Sequence, residues 1–187
     1  MTAPVKRTLR TVAAEQTRAK LIETGLVLAE QLGLEGLSVN AVVAAAGVSK
    51  GTFFHHFSDR TSYLVALHRR FHDALADEIA AVIGPMTPGR ERLSATATTY
   101  LDGCLRDRGV KALLLEARGH RPIAEEVMRR NAASVAVVAI DFDAIGRQYP
   151  RQSARLWVAA TAECALMELE FGRADPEARA ALETFGR

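Results

Sequence analysis

Apolar residues recur through this chain of 187 residues with the 3.6-residue period of an α-helix, and glycine or proline separates the periodic segments. From Glu15 to Leu32, for example, the apolar and small residues share one helical face. No segment of the sequence shows the alternation of apolar and polar residues that is typical of a half-buried strand. The pattern therefore predicts an all-α fold of about nine helices.

Residues suited to capping mark the ends of the predicted helices. Ser38, Ser49 and Asp59 are predicted N-caps, and the first four helices are predicted to end at Gly33, Gly47, about Phe57 and Gly84-Pro85. Thr87-Pro88 predicts the start of a fifth helix, which runs to about Arg108. Further breaks delimit helices near 110–118, 123–147, 151–171 and 176–185.

Positive charge is concentrated in the first third of the chain. Residues 1–72 carry nine Lys and Arg against five Asp and Glu, whereas residues 73–187 carry fifteen against seventeen. A basic N-terminal region predicts a polyanion as partner, such as nucleic acid. No apolar run approaches the ~20 residues that span a bilayer, and no apolar segment follows the basic N-terminus as in a secretory signal. We therefore expect a cytoplasmic protein.

The stretch "GVSKGTFFHHF", residues 47–57, follows a short helix and a tight turn centred on Gly47. Two short helices joined in this way form a helix-turn-helix, whose second helix can enter a DNA major groove. Phe53 and Phe57 are four residues apart, so we expect them to pack inward, against Ile22 and Val42. The opposite face would display Gly51, Phe54 and His55, with Thr52 and His56 on its flanks and Lys50 in the first turn.

The segment "LEGLSVNAVVAAAGVSKGTFFHHFSDRTSYLVAL", residues 34–67, resembles the DNA-binding region of the TetR/AcrR family of transcriptional regulators. The resemblance implies a dimeric repressor of double-stranded operator DNA that a small effector releases. It also implies two domains: a three-helix, homeodomain-like DNA-binding domain at 1–58 and a helical ligand-binding and dimerisation domain at 59–187.

Ten residues fall at positions that the resemblance assigns to the DNA-binding surface. They are Ser38, Asn40, Ser49, Lys50, Gly51, Thr52, Phe54, His55, His56 and Arg60. Three positions depart from the family pattern. Phe54 replaces a tyrosine and so loses a phenolic hydrogen bond to phosphate, Val43 replaces an alanine between the two short helices, and Arg60 replaces a lysine that contacts phosphate.

The sequence offers little support for metal binding or catalysis. His55 and His56 are adjacent in a helix and diverge, while His68 and His72 are four residues apart but lack an acidic third ligand nearby. Residues 90–187 contain no catalytic constellation and no glycine-rich phosphate loop after a strand. We therefore predict no metal, no cofactor and no enzymatic activity.

Apolar residues exceed what a small core needs in the C-terminal part, which favours an adaptable cavity for a small apolar ligand. The candidate lining residues are Tyr100, Leu101, Cys104, Leu114, Met128, Phe142, Trp157, Thr161 and Cys164. For any single one of them ordinary core is the better prediction, and the two cysteines are expected to be free, buried thiols. Tyr100, Glu116 and His120 could supply polar contacts or simply be exposed.

The segment 154–171 is apolar or small on nearly all sides, so more than one of its faces should be buried. Together with the last predicted helix it suggests a four-helix interface between two subunits, as the family resemblance also implies. The predicted interface residues are Leu166, Leu169, Leu182 and Phe185. The alternative is that these residues belong to the core of one subunit.

Two other functions remain compatible with the sequence. One is a DNA-binding regulator that needs no ligand because its C-terminal core is filled. The other is an all-α enzyme or carrier in which the helix-turn-helix serves for packing only, which the basic N-terminal third argues against.

Overall fold

The computed structural model describes residues 9–185, and within them it contains nine α-helices and no strand. The all-α prediction is confirmed. The helices are α1 Leu9–Gly36, α2 Val39–Ala46, α3 Lys50–His56, α4 Arg60–Ile83, α5 Arg90–Arg106, α6 Arg108–Glu116, α7 Arg121–Ala144, α8 Pro150–Phe171 and α9 Pro176–Thr184. A 3-10 turn, Ala117–Gly119, joins α6 to α7. Residues 1–8 of the predicted DNA-binding domain and residues 186–187 of the predicted C-terminal domain lie outside the described residues.

The three predicted N-caps are confirmed. The hydroxyls of Ser38 and Ser49 accept the backbone N–H three residues on, at 3.1 and 3.0 Å, and Asp59 forms a reciprocal capping box with Ser62. Gly47 ends α2 in the left-handed conformation, with φ of 65°, where a residue with a Cβ would be strained. Local side chains thus fix the turn between α2 and α3.

One helix end and one helix start differ from the sequence prediction. Helix α1 is helical from the first described residue, Leu9, and after the non-helical Gly33 (φ 62°) one further turn continues to Gly36. The predicted cap Thr87-Pro88 is wrong, because α5 begins at Arg90 with Gly89 as its N-cap. The N–H of Gly89 donates to a carboxylate oxygen of Asp141 on α7 at 2.9 Å. A tertiary contact therefore sets this start.

An aromatic cluster holds α3 between α1 and α4. The rings of Phe53, Phe57 and Tyr63 are buried, with centroids 4.9 to 5.3 Å apart. Tyr63 donates its hydroxyl to the carbonyl of Leu21 on α1 at 2.7 Å. Edge and tilted ring packing of this kind stabilises a small domain beyond its buried area alone.

Helices α4, α5, α7 and α8 pack into a bundle, and α9 lies against α8. Two buried carboxylates bind arginine through two hydrogen bonds each: Asp141 with Arg92 and Glu168 with Arg179, all at 2.6 to 3.0 Å. Because both carboxylates are fully buried, these partners are required to offset their desolvation. Within residues 9–185, no helix has the length and apolarity that crossing a membrane would require.

Helix α6 connects the bundle to α1. The carboxylate of Glu30 on α1 accepts the backbone N–H groups of Gly109 and Val110 at 3.1 and 3.0 Å, in the first turn of α6. A negative charge is favourable there because the first N–H groups of a helix lack partners within it. The two helices approach closely, since a Cβ on Gly109 would lie 2.6 Å from the Cα of Glu30.

Replacing Gly109 by alanine should therefore destabilise the protein, by about 1–3 kcal/mol, because the backbone of α1 would have to move away from α6. Urea unfolding of the Gly109→Ala variant measures the effect. Gly119→Ala is the matched control: its added methyl group meets open space, and we expect a change within about 0.5 kcal/mol. Equal stability of the two variants would contradict the close approach of α1 and α6.

Candidate DNA-binding surface and effector cavity

Helix α3 has one buried and one exposed face, as the sequence predicts. Phe53 and Phe57 are buried, whereas Phe54 is 51% exposed although its ring packs edge-on to Phe53 at 5.4 Å. Lys50, Gly51 and His55 are exposed beside Phe54. We call these four residues, Lys50, Gly51, Phe54 and His55, the outer face of α3.

The remaining predicted DNA-binding residues surround this face. Thr52 and His56 are half-buried, and Asn40 is exposed on α2. Burial lowers the pKa of His56 below its ordinary value, and the charges of His55 and Arg18 lower it further. The hydroxyls of Ser38 and Ser49 are exposed but serve as helix caps. Which of these groups contact DNA stays a prediction.

Arg60 has a structural role that the sequence did not reveal. Its guanidinium donates to the backbone carbonyl of Leu37 at 3.1 Å and to that of Leu34, so it ties the start of α4 to the chain between α1 and α2. These bonds satisfy carbonyls at a helix end. A phosphate contact by Arg60 stays a prediction, and it would use the N–H groups that the two carbonyls leave available.

A cavity of about 290 Å³ lies among α4, α5, α7 and α8, with α6 at one end. Three of the predicted lining residues, Tyr100, Trp157 and Thr161, line it. Residues that the sequence analysis did not select add polar groups to the wall. They are His68, His72, Thr96, Lys111, Arg118, Arg129, Arg130, Asn131 and Ser134.

The other predicted lining residues lie elsewhere. Leu101 lines a second cavity of about 340 Å³ between α5, α8 and α9. Met128 is 68% exposed, because it lies on the solvent side of α7. The remaining four, Cys104, Leu114, Phe142 and Cys164, are buried in the core but line neither cavity. Glu116 and His120 are exposed and do not supply polar contacts to the cavity.

Lys111 and His68 are the most deeply buried polar groups of the cavity, and the half-buried His72 lies beside His68. Lys111 is 3% exposed, and its ammonium donates to the hydroxyl of Tyr100 at 2.9 Å. His68 is also buried, and its Nδ1 has no hydrogen-bond partner among residues 9–185. The ring of His72 lies 4.4 Å from that of His68. In the described part of the chain, no three metal-ligating side chains lie together in a way that could hold a metal ion.

The ionisation of these groups follows from their surroundings. Burial lowers the pKa of His68 to about 4 and that of His72 to about 2, so both imidazoles are neutral at pH 7. Burial acts to lower the pKa of Lys111 as well, but the neighbouring Tyr100 and Cys104 groups outweigh it and leave the pKa above its ordinary value. Burial raises the pKa of Tyr100. Lys111 is therefore a buried cation whose hydrogen-bond partner, the hydroxyl of Tyr100, is neutral at pH 7.

An apolar stripe on α8 remains exposed. Leu156 and Phe171 are each 66% exposed, and Met167 lies between them on the same side of the helix. Of the predicted interface residues, Phe185 is exposed and Leu166 and Leu169 are half-buried. Leu182 is 5% exposed within a single chain, because α9 folds back onto the bundle and packs this side chain inward. Its place in an interface stays a prediction.

Together, the capped turn, the two-faced α3 and the attached bundle define a helix-turn-helix protein of the DNA-binding class. The comparisons with known proteins agree. Residues 21–67 match the family described as bacterial regulatory proteins, tetR family. The chain is 26% identical over 129 residues to the HTH-type transcriptional regulator CymR of Pseudomonas putida, an alignment that covers 67% of this chain and 62% of that protein.

A second relative is the HTH-type transcriptional repressor KstR2 of Rhodococcus jostii, 28% identical over 82 residues, which are 44% of this chain and 40% of that protein. The matched parts thus span less than two thirds of both relatives. The crystal structure of the multidrug binding protein EbrR complexed with imidazole superposes with a TM-score of 0.73 at 26% identity, covering 91% of this chain and 94% of that one. The family model matches the DNA-binding unit, and both relatives are named as transcriptional regulators, which supports a transcriptional regulator similar to the TetR family.

The two faces of α3 predict opposite outcomes for two identical changes of side chain. Phe57→Ala should cost about 3–5 kcal/mol of stability, because it leaves a cavity in the aromatic cluster. Phe54→Ala removes the same ring from the outer face, so it should change stability by less than about 1 kcal/mol and weaken DNA binding in a folded protein. Thermal unfolding and a gel shift measure the two effects. If Phe54→Ala unfolds the domain and Phe57→Ala does not, the faces are assigned in the wrong order.

Substitutions of Lys50 and His55 should have different effects, the first on the overall affinity for DNA and the second on the preference among DNA sequences. Lys50→Ala should weaken binding to all DNA sequences alike and lower the salt dependence of binding by about one ion for each phosphate that the side chain neutralises. His55→Ala should alter the preference among operator variants, by about 1–3 kcal/mol where it contacts a base edge. Titrations at several salt concentrations measure both. Unchanged DNA binding by both variants would show that α3 does not contact DNA.

Proposed function

We propose that this protein is a ligand-responsive transcriptional repressor, which binds a palindromic operator as a homodimer and is released by a small, largely apolar effector. The outer face of α3 carries the proposal. An aromatic ring, a cation, an imidazole and a glycine share the exposed side of a helix whose other side anchors it in the fold. That combination suits close approach to base edges and phosphates in a major groove.

In this proposal α3 enters the groove, with Lys50, Thr52, Phe54, His55 and His56 facing the bases or the backbone. Ser38, Asn40, Ser49 and Arg60 would contact phosphates at its edges, and Gly51 allows close approach. Residues 1–58 form the DNA-binding domain and residues 59–187 the ligand-binding and dimerisation domain. Binding at the promoter would exclude the transcription machinery, which favours repression, the role that the name of KstR2 states for that relative. The proposed role places the protein in the cytoplasm.

A second copy of the chain would cover the apolar stripe on α8. Leu156, Met167 and Phe171 lie along one side of a helix of 22 residues, and exposed apolar side chains in such a row are typical of an interface. A two-fold axis at α8 and α9 would make the contact self-complementary. It would also present two α3 helices to successive major grooves, about 34–36 Å apart, as a palindromic operator requires.

The double variant Leu156→Glu/Phe171→Glu should therefore be a monomer in sedimentation experiments, near the 20.3 kDa of one chain, where the unsubstituted protein should sediment at twice that mass. Two carboxylates cannot be buried at an apolar contact without a large cost. Val27→Glu, on the 60%-exposed Val27 of α1, is the control and should remain dimeric. An unsubstituted protein that is monomeric while it binds palindromic DNA would contradict the proposal.

Helix α6 is the proposed connection between the cavity and the DNA-binding domain. Lys111 lines the cavity, and the two residues before it, Gly109 and Val110, are held by Glu30 of α1. A ligand that shifts α6 would therefore shift α1, and with it α2 and the α3 that packs on α2. By linkage, the ligand and the operator must weaken each other equally, typically by about 1–3 kcal/mol.

Glu30→Gln should weaken this coupling, because it removes the negative charge from the first turn of α6 while it keeps the side-chain length. Compounds that raise the melting temperature of the protein should bind the variant as before but should lower its affinity for DNA by less. Gel shifts with and without compound measure this, on DNA from upstream of the gene. Glu35→Gln, at an exposed position of α1, is the control. If no compound binds the cavity, the regulator is ligand-independent.

A further inference from the structure

The charged groups that line the cavity are all of one sign. Lys111, Arg118, Arg129 and Arg130 contribute to its wall, and no Asp or Glu in the described part of the chain does so. Two of these cations already pair with carboxylates. Arg129 and Arg130 both donate to the carboxylate of Glu126, and Arg130 also pairs with Asp73 at 2.6 Å.

Lys111 differs from them because its partner is neutral. Its ammonium is buried, and within residues 9–185 its hydrogen-bond partner is the hydroxyl of Tyr100. Elsewhere in this protein the buried ions Asp141 and Glu168 are each bound by an arginine. A buried cation without an anion is costly, and an anion in the cavity would remove that cost.

His68 adds hydrogen-bonding capacity to the same cavity wall. His68 is buried, neutral at pH 7 and without a partner for its Nδ1 among the described residues. A neutral imidazole can donate one N–H to an oxygen of a ligand. Buried polar atoms in folded proteins are almost always paired, so an orphan atom on a cavity wall indicates a missing partner.

The rest of the cavity is apolar. Leu75, Ile79 and Ile83 of α4 form one wall, and Val137, Trp157 and Val158 form the wall contributed by α7 and α8. The volume of about 290 Å³ is roughly twice the ~150 Å³ that holds a benzene-sized ligand, which indicates about a dozen non-hydrogen atoms.

We infer that the effector is an amphipathic monocarboxylate, whose carboxylate is held by Lys111, Tyr100 and His68 and whose hydrocarbon body fills the space beside Ile79 and Trp157. This inference rests on the proposed function, since it names the chemical class that the same cavity takes. One buried cation matches one negative charge. A cationic ligand would place a second positive charge beside Lys111, and a neutral ligand would leave the ammonium unpaired.

A series of ligands that differ only in the head group tests the inference on the unsubstituted protein. 4-Phenylbutyrate, 4-phenylbutan-1-ol and 4-phenylbutylamine share one tail, and decanoate with decan-1-ol provides a linear pair of similar size. Isothermal titration should show each acid binding about tenfold or more tightly than its alcohol, because charge-assisted hydrogen bonds are stronger than neutral ones. The amine should bind most weakly.

The Lys111→Met variant locates the head group. Methionine has a similar length and no charge, so the acid should lose its advantage over the alcohol, while the affinity for the alcohol changes by less than about threefold. Arg118→Met is the matched control, because Arg118 lines the same cavity but is exposed. That variant should keep most of the preference for the acid.

The outcomes distinguish this inference from the proposed function. An alcohol or amine that binds as tightly as the acid overturns the inference, and so does an unchanged preference for the acid in Lys111→Met. If such a neutral or cationic compound also releases DNA, the proposed function stands without the inference. If the acid binds through Lys111 but leaves DNA affinity unchanged, the inference stands and effector release fails.

Discussion

The contact between α1 and α6 is the constraint on which the arrangement of this protein depends. Helix α1 is the first helix of the three-helix unit α1–α3, and α6 contributes Lys111 to the wall of the cavity. Glu30 binds the first turn of α6, and the absence of a side chain at Gly109 allows the two backbones to meet. Because the contact is both polar and sterically tight, α6 cannot shift along its axis without moving α1 or breaking two hydrogen bonds.

Most buried charges of the bundle have a partner of opposite charge within the same chain. Asp141 on α7 accepts two hydrogen bonds from Arg92 on α5, and Glu168 on α8 accepts two from Arg179 on α9. These ion pairs attach α5 to α7 and α9 to α8. Glu126 has several arginine partners, and their hydrogen bonds hold its pKa down to about 2 although burial acts to raise it. Lys111 has no carboxylate partner among the residues that the structure describes, and its ammonium donates to the hydroxyl of Tyr100 instead. These ion pairs are therefore complete within one chain, whereas the cavity wall leaves the charge of Lys111 without a carboxylate among the described residues.

The sequence predicted the DNA-binding unit more fully than the cavity, for a physical reason. Caps such as Ser49 and the inward placement of Phe53 depend on residues within one or two turns, so local spacing reveals them. Lys111 is buried because α4 and α5 pack against α6, whereas a lone lysine in a helix usually lies in solvent. The available signal was weak: Lys111 lies three residues before Leu114, on the buried side of α6.

The position of Lys111 on α6 explains both why an anionic ligand would be preferred and how its binding could reach the DNA-binding unit. Methionine or leucine at position 111 would fill the same space without a desolvation cost, but a ligand would then gain only apolar contact, which is spread over several helices. With Lys111, a large part of the free energy of binding an anion comes from one side chain of α6. That side chain directly follows Val110, whose N–H binds Glu30. A ligand changes an equilibrium only through groups that it binds differently in the two states. Concentrating that difference on the helix that contacts α1 makes the DNA-binding unit responsive to the head group of the ligand more than to the shape of its tail.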